Sequence, residues 1–198
     1  MNDNALIIIA KYPEEKNVKT RLKGLMPDEK RLALYVSMLE NTLRKLKSVP
    51  GVDTYIAYAP ESGKNYFTRF GVGLILLPEG DLGMRMFHAF RELFKTGYRR
   101  AVLVGADIPD LSSAIILKAF MILSLDDIVY GPAKDGGYYL VGMRKLIKEV
   151  FEDVPWSSNQ TLNRSIERAR QSGYNVALTE TLSDIDTIDD VKRAGLMP

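Results

Sequence analysis

The chain has 198 residues, with 27 lysines and arginines against 25 aspartates and glutamates, which gives a formal net charge of +2. Its length and its 46% of hydrophobic residues are typical of a globular protein, and we predict one domain over residues 1–198. The nearly neutral charge offers no support for a nucleic-acid or membrane partner, and the lack of cysteine excludes disulfides, thiolate nucleophiles and cysteine-ligated metals.

Apolar runs alternate with helix-compatible segments along the first half of the chain. The predicted strands are residues 6–9, 52–58, 73–77 and 101–104. Asp28 suits the N-terminus of the predicted first helix, whose apolar face includes residues from Leu32 to Leu46. Such alternation is typical of strand–helix–strand units in a parallel sheet. The first apolar run is too short for a secretory signal, and no other run approaches the roughly 20 residues of a membrane span, so we expect a soluble, cytoplasmic protein.

The second half of the chain is less regular. Strands are predicted at 127–130 and 137–141, joined by a turn that suits an antiparallel insertion. They are followed by a helix over 160–171 capped by Ser158 or Asn159, a strand at 175–178 and a helix from about Ile188. The whole pattern predicts one mixed, mostly parallel sheet flanked by helices.

Ligands of open α/β sheets bind beyond the carboxyl ends of the parallel strands, and this rule selects the loop after the first strand. From Lys11 to Gly24 that loop holds five basic residues and two acids, a local net charge of +3. Lysine and arginine are suitable ligands for a di- or triphosphate. The loop has neither a P-loop nor a dinucleotide-binding fingerprint, so a solvated basic loop is the alternative.

Carboxylates follow two later strands at positions that suit a metal ion. Asp107 comes directly after the fourth strand, and one or two carboxylates with substrate phosphates are sufficient for Mg²⁺. The alternative for Asp107 is a turn or helix-cap residue. Asp184 and Asp186 alternate along an extended segment and share one face, whereas Asp189 and Asp190 suit the positive end of a helix dipole.

The remaining candidates lie in the hairpin turn and near it. Asp135, Gly136 and Gly137 combine an acid with glycines that permit close backbone approach, although a plain hairpin turn also favours Asp-Gly. We expect Trp156 to be a packing anchor rather than a stacking platform, and His88 to be structural or solvated.

Several ordered motifs of the chain together resemble the DUF2064 family. They are Lys11-Tyr12-Pro13 with Val18-Lys19-Thr20-Arg21-Leu22, Gly80 to Met86, Gly105 to Leu111, Gly131 to Gly142, and Pro155-Trp156-Ser157. Glycosyl transfer is usually ascribed to this family of GT-A-fold proteins, which are related in fold to molybdenum-cofactor and phospholactate guanylyltransferases. The resemblance covers nearly the whole chain and implies the GT-A fold.

The resemblance also implies roles for individual residues. The implied nucleotide-binding residues are Lys11, Lys19, Arg21, Gly80, Asp81, Gly83 and Arg85. The implied ligands of Mg²⁺ or Mn²⁺ are Asp107 and Asp186. The implied acceptor side consists of Asp135, Gly136, Gly137 and Trp156. Met84, Ala106, Ile108 and Ile188 depart from the residues usual in the family. Met84 stands where an acid is more usual, which weakens the implied recognition of ribose or base, but the charged site residues named above are all retained.

Two enzymatic reactions fit these residues. The first is metal-dependent transfer of a sugar from a nucleotide-sugar to a small-molecule acceptor, in which Lys19 and Arg21 hold the diphosphate, Asp107 binds the metal and Asp135 is the candidate base. The second is nucleotidyl transfer from a nucleoside triphosphate to a phosphorylated small molecule. The first loop has no glycine before Gly24, whereas nucleotidyltransferases of this fold more often open with a glycine-rich loop, and this favours glycosyl transfer.

A third hypothesis is a non-catalytic nucleotide-binding protein. The expected partners are a nucleotide or nucleotide-sugar donor and a small acceptor, without nucleic acid or membrane. The apolar helix faces are accounted for by one core, so the sequence does not indicate an oligomeric state.

Overall fold

Seven strands form one sheet in the computed structural model, which describes residues 2–195 of the chain. The strands are β1 (Asn4–Lys11), β2 (Val52–Ala59), β3 (Gly73–Leu76), β4 (Arg100–Gly105), β5 (Ile128–Pro132), β6 (Tyr138–Met143) and β7 (Val176–Leu178). The helices are α1 (Asp28–Leu46), α2 (Lys64–Thr68), α3 (Leu82–Lys95), α4 (Ser113–Ile122), α5 (Thr161–Gln171) and α6 (Ile188–Arg193). All predicted elements are present, with small shifts at their ends.

The sheet has the strand order β3-β2-β1-β4-β6-β5-β7. Strand β6 is antiparallel to both of its neighbours, and the other pairs are parallel, which confirms the predicted α/β class and the antiparallel insertion. Strand β1 pairs with β2 on one side and with β4 on the other. The chain therefore changes its direction across the sheet between β1 and β4, and such a switch point opens a crevice at the carboxyl edge.

Both faces of the sheet are apolar because helices cover both of them. Leu6 and Ile8 of β1 belong to a core shared with α1, α2 and α4. Ile7 of β1 faces the other way and belongs to a core shared with α3 and α5, which includes Phe90. This alternation fixes the register of β1, since a slip of one residue would exchange its two faces.

A smaller apolar cluster fastens the C-terminal segment to the loop that follows β1. Its buried members are Leu22, Met26, Leu34, Met38, Ile185 and Val191. Asp189 and Asp190 lie in the first turn of α6, where Thr187 and Asp190 form a capping box, in agreement with the helix-dipole interpretation. The cluster brings the segment around Asp186 to the carboxyl edge of the sheet.

The predicted cap of α5 is displaced by one residue. Gln160, not Ser158 or Asn159, is the N-cap, and it makes no side-chain cap. The Ser158 hydroxyl instead accepts a hydrogen bond from the Gln160 amide, two residues further along the chain, at 3.2 Å. Across residues 2–195, no helix combines the length and the hydropathy that a bilayer crossing needs.

Candidate active site

A cavity of about 520 Å³ lies at the crevice between β1 and β4, within the size range of small-molecule sites. Its charged lining consists of four basic and two acidic side chains: Lys11, Lys19, Arg21, Arg85, Asp107 and Asp186. The excess of positive charge favours an anionic ligand. The two loops singled out by charge in the sequence thus meet at the edge that the strand order selects.

The ammonium group of Lys19 binds the carboxylates of Asp107 and Asp186, the two implied metal ligands. Its Nζ donates to Asp107 Oδ2 at 2.6 Å, to the Ile185 carbonyl oxygen at 2.5 Å and to Asp186 Oδ1 at 3.3 Å. The Lys19 side chain is only 5% exposed. Burial by itself lowers the pKa of Lys19, but the charges and hydrogen bonds of Asp107 and Asp186 outweigh it and raise that pKa above its ordinary value. Lys19 is therefore a buried, fully charged ammonium.

Arg21 completes this ion network from the solvent side. Its Nη1 donates to Asp186 Oδ2 at 2.6 Å, and its side chain is 56% exposed. Asp107 is not the cap of α4, because Ser112 occupies that position. Lys16, by contrast, is solvated and contacts only Glu14, as the alternative for the basic loop expected. The loop therefore contains basic residues that line the cavity, such as Arg21, and a solvated one, Lys16.

Asp107 and Asp186 fit a divalent cation by their geometry and chemistry. Each directs a carboxylate oxygen to the same positive centre, the Lys19 ammonium. Within the described part of the chain, no group of three or more histidine, cysteine or acidic side chains could hold a metal ion. Mg²⁺ commonly takes one or two protein carboxylates and fills its remaining positions with phosphate oxygens and water. The pair therefore suits a cation that arrives with a phosphorylated ligand.

A second cavity of about 240 Å³ adjoins the first and shares Arg21, Asp107 and Asp186 with it. Two further carboxylates, those of Asp135 and Asp184, line the second cavity and not the first. Aromatic side chains also line it, and Arg21 is the one basic side chain among its described lining residues. The two cavities thus have opposite character: the first is basic, and the second is acidic and aromatic.

The hairpin turn between β5 and β6 supplies part of this second cavity. Asp135 Oδ1 accepts a hydrogen bond from the Gly137 amide at 2.8 Å, so the carboxylate closes the turn while it also faces the cavity. Gly136 has a φ of +88°, and a Cβ there would lie 2.2 Å from the Asn159 carbonyl oxygen. Gly136 is therefore required by the turn rather than by a ligand, and it does not line the cavity.

Trp156 both packs and lines the second cavity. A Cβ on Gly83 would lie 2.3 Å from Trp156 Cζ2, so α3 needs glycine at this position to admit the indole. The indole also makes an edge contact with Tyr138, with ring centroids 6.5 Å apart. The predicted packing role is present, and the indole additionally forms a wall of the cavity.

Three residues of the implied nucleotide-binding set lie around the start of α3. Gly80, Asp81 and Gly83 line neither cavity. Asp81 is the N-cap of α3, and its carboxylate accepts a hydrogen bond from the Met84 amide at 2.8 Å. This part of the chain reaches the larger cavity through Leu82 and Arg85. The observed contacts of Asp81 and Gly83 thus shape the start of α3, and the implied nucleotide contact of the three residues stays a prediction.

Tyr35 and Ser157 line the larger cavity and were not assigned to the site from the sequence. Tyr35 of α1 lies in the larger cavity, although its position on the apolar helix face gives no hint of this. Ser157 lines both cavities with a φ of 60°, and Lys19 has a φ of 46°. Left-handed backbone at residues other than glycine costs energy and is concentrated at functional sites. Asp184 was grouped with Asp186 in the sequence. Asp184 lines only the second cavity, whereas Asp186 lines both cavities.

Burial, together with the charges of Asp186, Asp135 and Asp107, raises the pKa of Asp184 to about 6. Because the folded pKa exceeds the ordinary value of 3.8, ionisation of Asp184 destabilises the fold as pH rises from about 4 through about 6. At pH 7 we expect the free energy of unfolding of Asp184→Asn to exceed that of the wild type by about 1 kcal/mol, after discounting for partial exposure. The variant should therefore unfold at a higher temperature.

Thermal unfolding in EDTA at pH 7 and at pH 4 tests this expectation. The gain should be much smaller at pH 4, because Asp184 is then protonated in the folded state and partly protonated in the unfolded chain. Asp110→Asn, which removes an exposed carboxylate, is the control and should show no such pH dependence. An equal gain at both pH values would contradict the pKa assignment.

Comparisons with known proteins agree on the kind of protein that carries this site. The model of a family described as "Uncharacterized protein conserved in bacteria (DUF2064)" matches residues 42–158, more than half of the chain. A crystal structure from Desulfovibrio desulfuricans G20, assigned provisionally as a nucleotide-diphospho-sugar transferase, is 32% identical and superposes with a TM-score of 0.91. The match covers 96% of this chain and 85% of that one.

Other relatives are more distant. The 2-phospho-L-lactate guanylyltransferase of Methanopyrus kandleri is 25% identical, over 96% of this chain and 90% of that protein. A CMP:2-keto-3-deoxy-manno-octonic acid synthetase complexed with CTP shares the fold at 13% identity and a TM-score of 0.62, covering 98% of both chains. Rv0371c of Mycobacterium tuberculosis, in complex with manganese, does so at 12% identity and a TM-score of 0.57, covering 96% of both. The chain is thus a member of the nucleotide-dependent transferase superfamily.

Proposed function

The chain belongs to the DUF2064 family, and we propose that it is a metal-dependent glycosyltransferase that moves a sugar from a nucleotide-sugar to a small-molecule acceptor. The observation that carries this proposal is the pair of adjoining cavities, one basic and one acidic and aromatic, with Arg21, Asp107 and Asp186 between them. A transferase needs a donor site and an acceptor site that meet where the bond is exchanged. The two cavities have this arrangement.

The larger cavity is the proposed donor site. Lys11, Lys19, Arg21 and Arg85 supply positive charge for a diphosphate, and the buried Arg85 Nε has no hydrogen-bond partner among the described residues. A buried donor without a partner is costly, so a ligand oxygen at this place would relieve the cost. The basic residues would stabilise the negative charge that develops on the departing nucleoside diphosphate.

Asp107 and Asp186 would hold Mg²⁺ or Mn²⁺ in this site. Such an ion neutralises the charge of the diphosphate leaving group. When a phosphorylated ligand enters, its oxygens compete with the two carboxylates for the Lys19 ammonium, which already stands beside them. Arg21 can bind the same phosphates, since its exposed guanidinium contacts only Asp186. On ligand binding, Lys19 and Arg21 would thus exchange their carboxylate partners for phosphate oxygens.

The smaller cavity is the proposed acceptor site. Its carboxylates disfavour a phosphorylated acceptor and favour a hydroxyl group on an uncharged or positively charged molecule. Asp135 and Asp184 are the candidates for the base that an inverting transfer requires. Asp184, with its pKa raised to about 6, is better matched to accept a proton near neutral pH than an ordinary carboxylate.

Nucleotidyl transfer is the second candidate, because of the 25% identity to 2-phospho-L-lactate guanylyltransferase. It would require a basic site for a phosphorylated acceptor. Arg144 and Lys145 do not supply such a site, because they bind Asp127 at the amino end of β5, on the opposite edge of the sheet. Lys134 does not line either cavity. The placement of these basic residues favours glycosyl transfer.

The products distinguish the two reactions. Wild-type protein with Mn²⁺, a panel of nucleotide-sugars and a panel of hydroxylated and amine-bearing acceptors should release a nucleoside diphosphate, which can be measured by coupled assay and by mass spectrometry of the glycosylated acceptor. Release of pyrophosphate from a nucleoside triphosphate in the presence of phosphorylated acceptors would instead establish nucleotidyl transfer and overturn the proposal.

A further inference from the structure

At the crevice, the pairing of strand β1 with β4 ends before its pairing with β2. Its pairing with β4 stops at Ile9 and Gly105, whereas its pairing with β2 continues to Lys11 and Ala59. Beyond Ile9, the edge of β1 that faces β4 therefore has no strand partner. The larger cavity lies at this gap, since Ile9, Lys11 and Gly105 all line it.

A tyrosine hydroxyl takes the place of the missing strand. The Lys11 amide donates to Tyr35 Oη at 2.8 Å, and Tyr35 Oη donates to the Lys11 carbonyl oxygen at 3.0 Å. The next amide, Tyr12, donates to Ala59 of β2, so the two Lys11 groups point to the opposite side, where β4 has ended. One buried hydroxyl on α1 thus satisfies both backbone groups of the last residue of β1.

The same face of α1 also holds the end of β4. The Thr42 hydroxyl donates to the Ala106 carbonyl oxygen at 3.2 Å, and Lys45 Nζ donates to the Pro109 carbonyl oxygen at 2.7 Å. Tyr35 and Thr42 are seven positions apart, which places them on one helix face two turns from each other. Asp107 lies directly after the carbonyl that Thr42 binds. Helix α1 is therefore bonded to the backbone on both sides of the crevice.

We infer that Tyr35 and Thr42 are positioning residues that set the separation between the phosphate-binding end of β1 and the carboxylate of Asp107. Without these hydroxyl groups, the backbone of Lys11 and the carbonyl of Ala106 would be left without partners and would move toward others. A displacement of about 1 Å in a binding site costs on the order of a hundredfold in rate. The inference rests on the proposed function, because it assumes that the crevice binds a nucleotide.

The chain offers a matched control for each variant. Tyr98 is as buried as Tyr35, at 5% exposure, and its hydroxyl donates to Asp53 at 2.9 Å, away from both cavities. Thr54 is buried like Thr42, and its hydroxyl also donates to a backbone carbonyl, that of Leu46, at 3.3 Å. Tyr35→Phe is therefore compared with Tyr98→Phe, and Thr42→Val with Thr54→Val.

Calorimetric titration with UDP, GDP, CDP and ADP in Mn²⁺ is the first readout. We expect the affinity for the diphosphate that binds the wild type to fall by about tenfold or more in Tyr35→Phe and by about threefold in Thr42→Val. Thr42→Ser, which keeps the hydroxyl, should restore it. Both control variants should stay within about twofold of the wild type, although all four changes lower the melting temperature. Equal losses in the controls would overturn the inference.

Hydrogen exchange in the free protein is the second readout, and it needs no ligand. Tyr35→Phe should accelerate exchange in peptides covering residues 10–19, and Thr42→Val in peptides covering 105–109, whereas the controls should leave both segments unchanged. Unchanged exchange in the two test variants would overturn the inference whatever the affinities are. If the wild type bound none of the four diphosphates while exchange changed as expected, the proposed function would fail and the role of α1 in holding the crevice would stand.

Discussion

The Asp107→Asn variant is expected to lose sugar transfer by about a hundredfold or more while it remains folded. Asparagine keeps the shape of the side chain but removes the charge that the proposed metal and the Lys19 ammonium both require. Lys19 would keep Asp186 and the Ile185 carbonyl as partners, so we expect the free energy of unfolding to fall by only about 1 to 2 kcal/mol. Steady-state rates and thermal unfolding measure the two effects separately.

The matched control for this variant is Asp110→Asn, which removes an exposed carboxylate from the same loop. It should retain transfer within about twofold and show no loss of stability, since surface substitutions of this kind are usually close to neutral. Full activity in Asp107→Asn would remove Asp107 from the reaction and with it the proposed metal site.

The Lys19→Met variant is expected to change two affinities in opposite directions. Affinity for a nucleoside diphosphate should fall by about tenfold, because a buried positive charge at the proposed phosphate site is lost. Affinity for Mn²⁺ without nucleotide should rise by about tenfold, because the ammonium that stands between Asp107 and Asp186 no longer competes for their charge. Electron paramagnetic resonance of free Mn²⁺ measures the second change directly.

Arg21→Met separates this effect from a general change in local charge. Arg21 contacts Asp186 alone and is largely exposed, so its removal should raise Mn²⁺ affinity by less than Lys19→Met does. If Lys19→Met bound Mn²⁺ no more tightly than the wild type, the two carboxylates would not be a cation site that Lys19 occupies in the free protein.

The fold could be predicted from the sequence because its determinants are local. Buried strands such as residues 6–9 are continuous apolar runs. The turn before Gly137 predicts a hairpin and therefore the antiparallel strand β6. The position of the site also followed from local signals, since a carboxylate that comes directly after a buried strand lies at the carboxyl edge. Asp107 illustrates this.

The partners within the site could not be predicted, because they depend on contacts between distant parts of the chain. Lys19 and Asp107 are 88 positions apart, and charge and spacing do not distinguish the buried Lys19 from the solvated Lys16, although the family resemblance selects Lys19. Tyr35 looks like any residue of an apolar helix face until the end of β1 is placed beside it. Asp81 shows the opposite case, since a motif position implied nucleotide contact and the structure shows a helix cap.

The measurement that tests the account most directly is a calorimetric titration of the wild type and of Asp107→Asn with UDP-, GDP-, CDP- and ADP-sugars, each with Mn²⁺ and with EDTA. The account predicts that one nucleotide-sugar binds the wild type in Mn²⁺, and that this binding weakens strongly in EDTA and in Asp107→Asn. A ligand at 100 times its dissociation constant also stabilises the fold by about 2.7 kcal/mol, so thermal unfolding provides an independent check. Binding of the nucleotide-sugar that is equally strong in EDTA and in Asp107→Asn, or no binding of any donor, would contradict a metal-dependent donor site between β1 and β4.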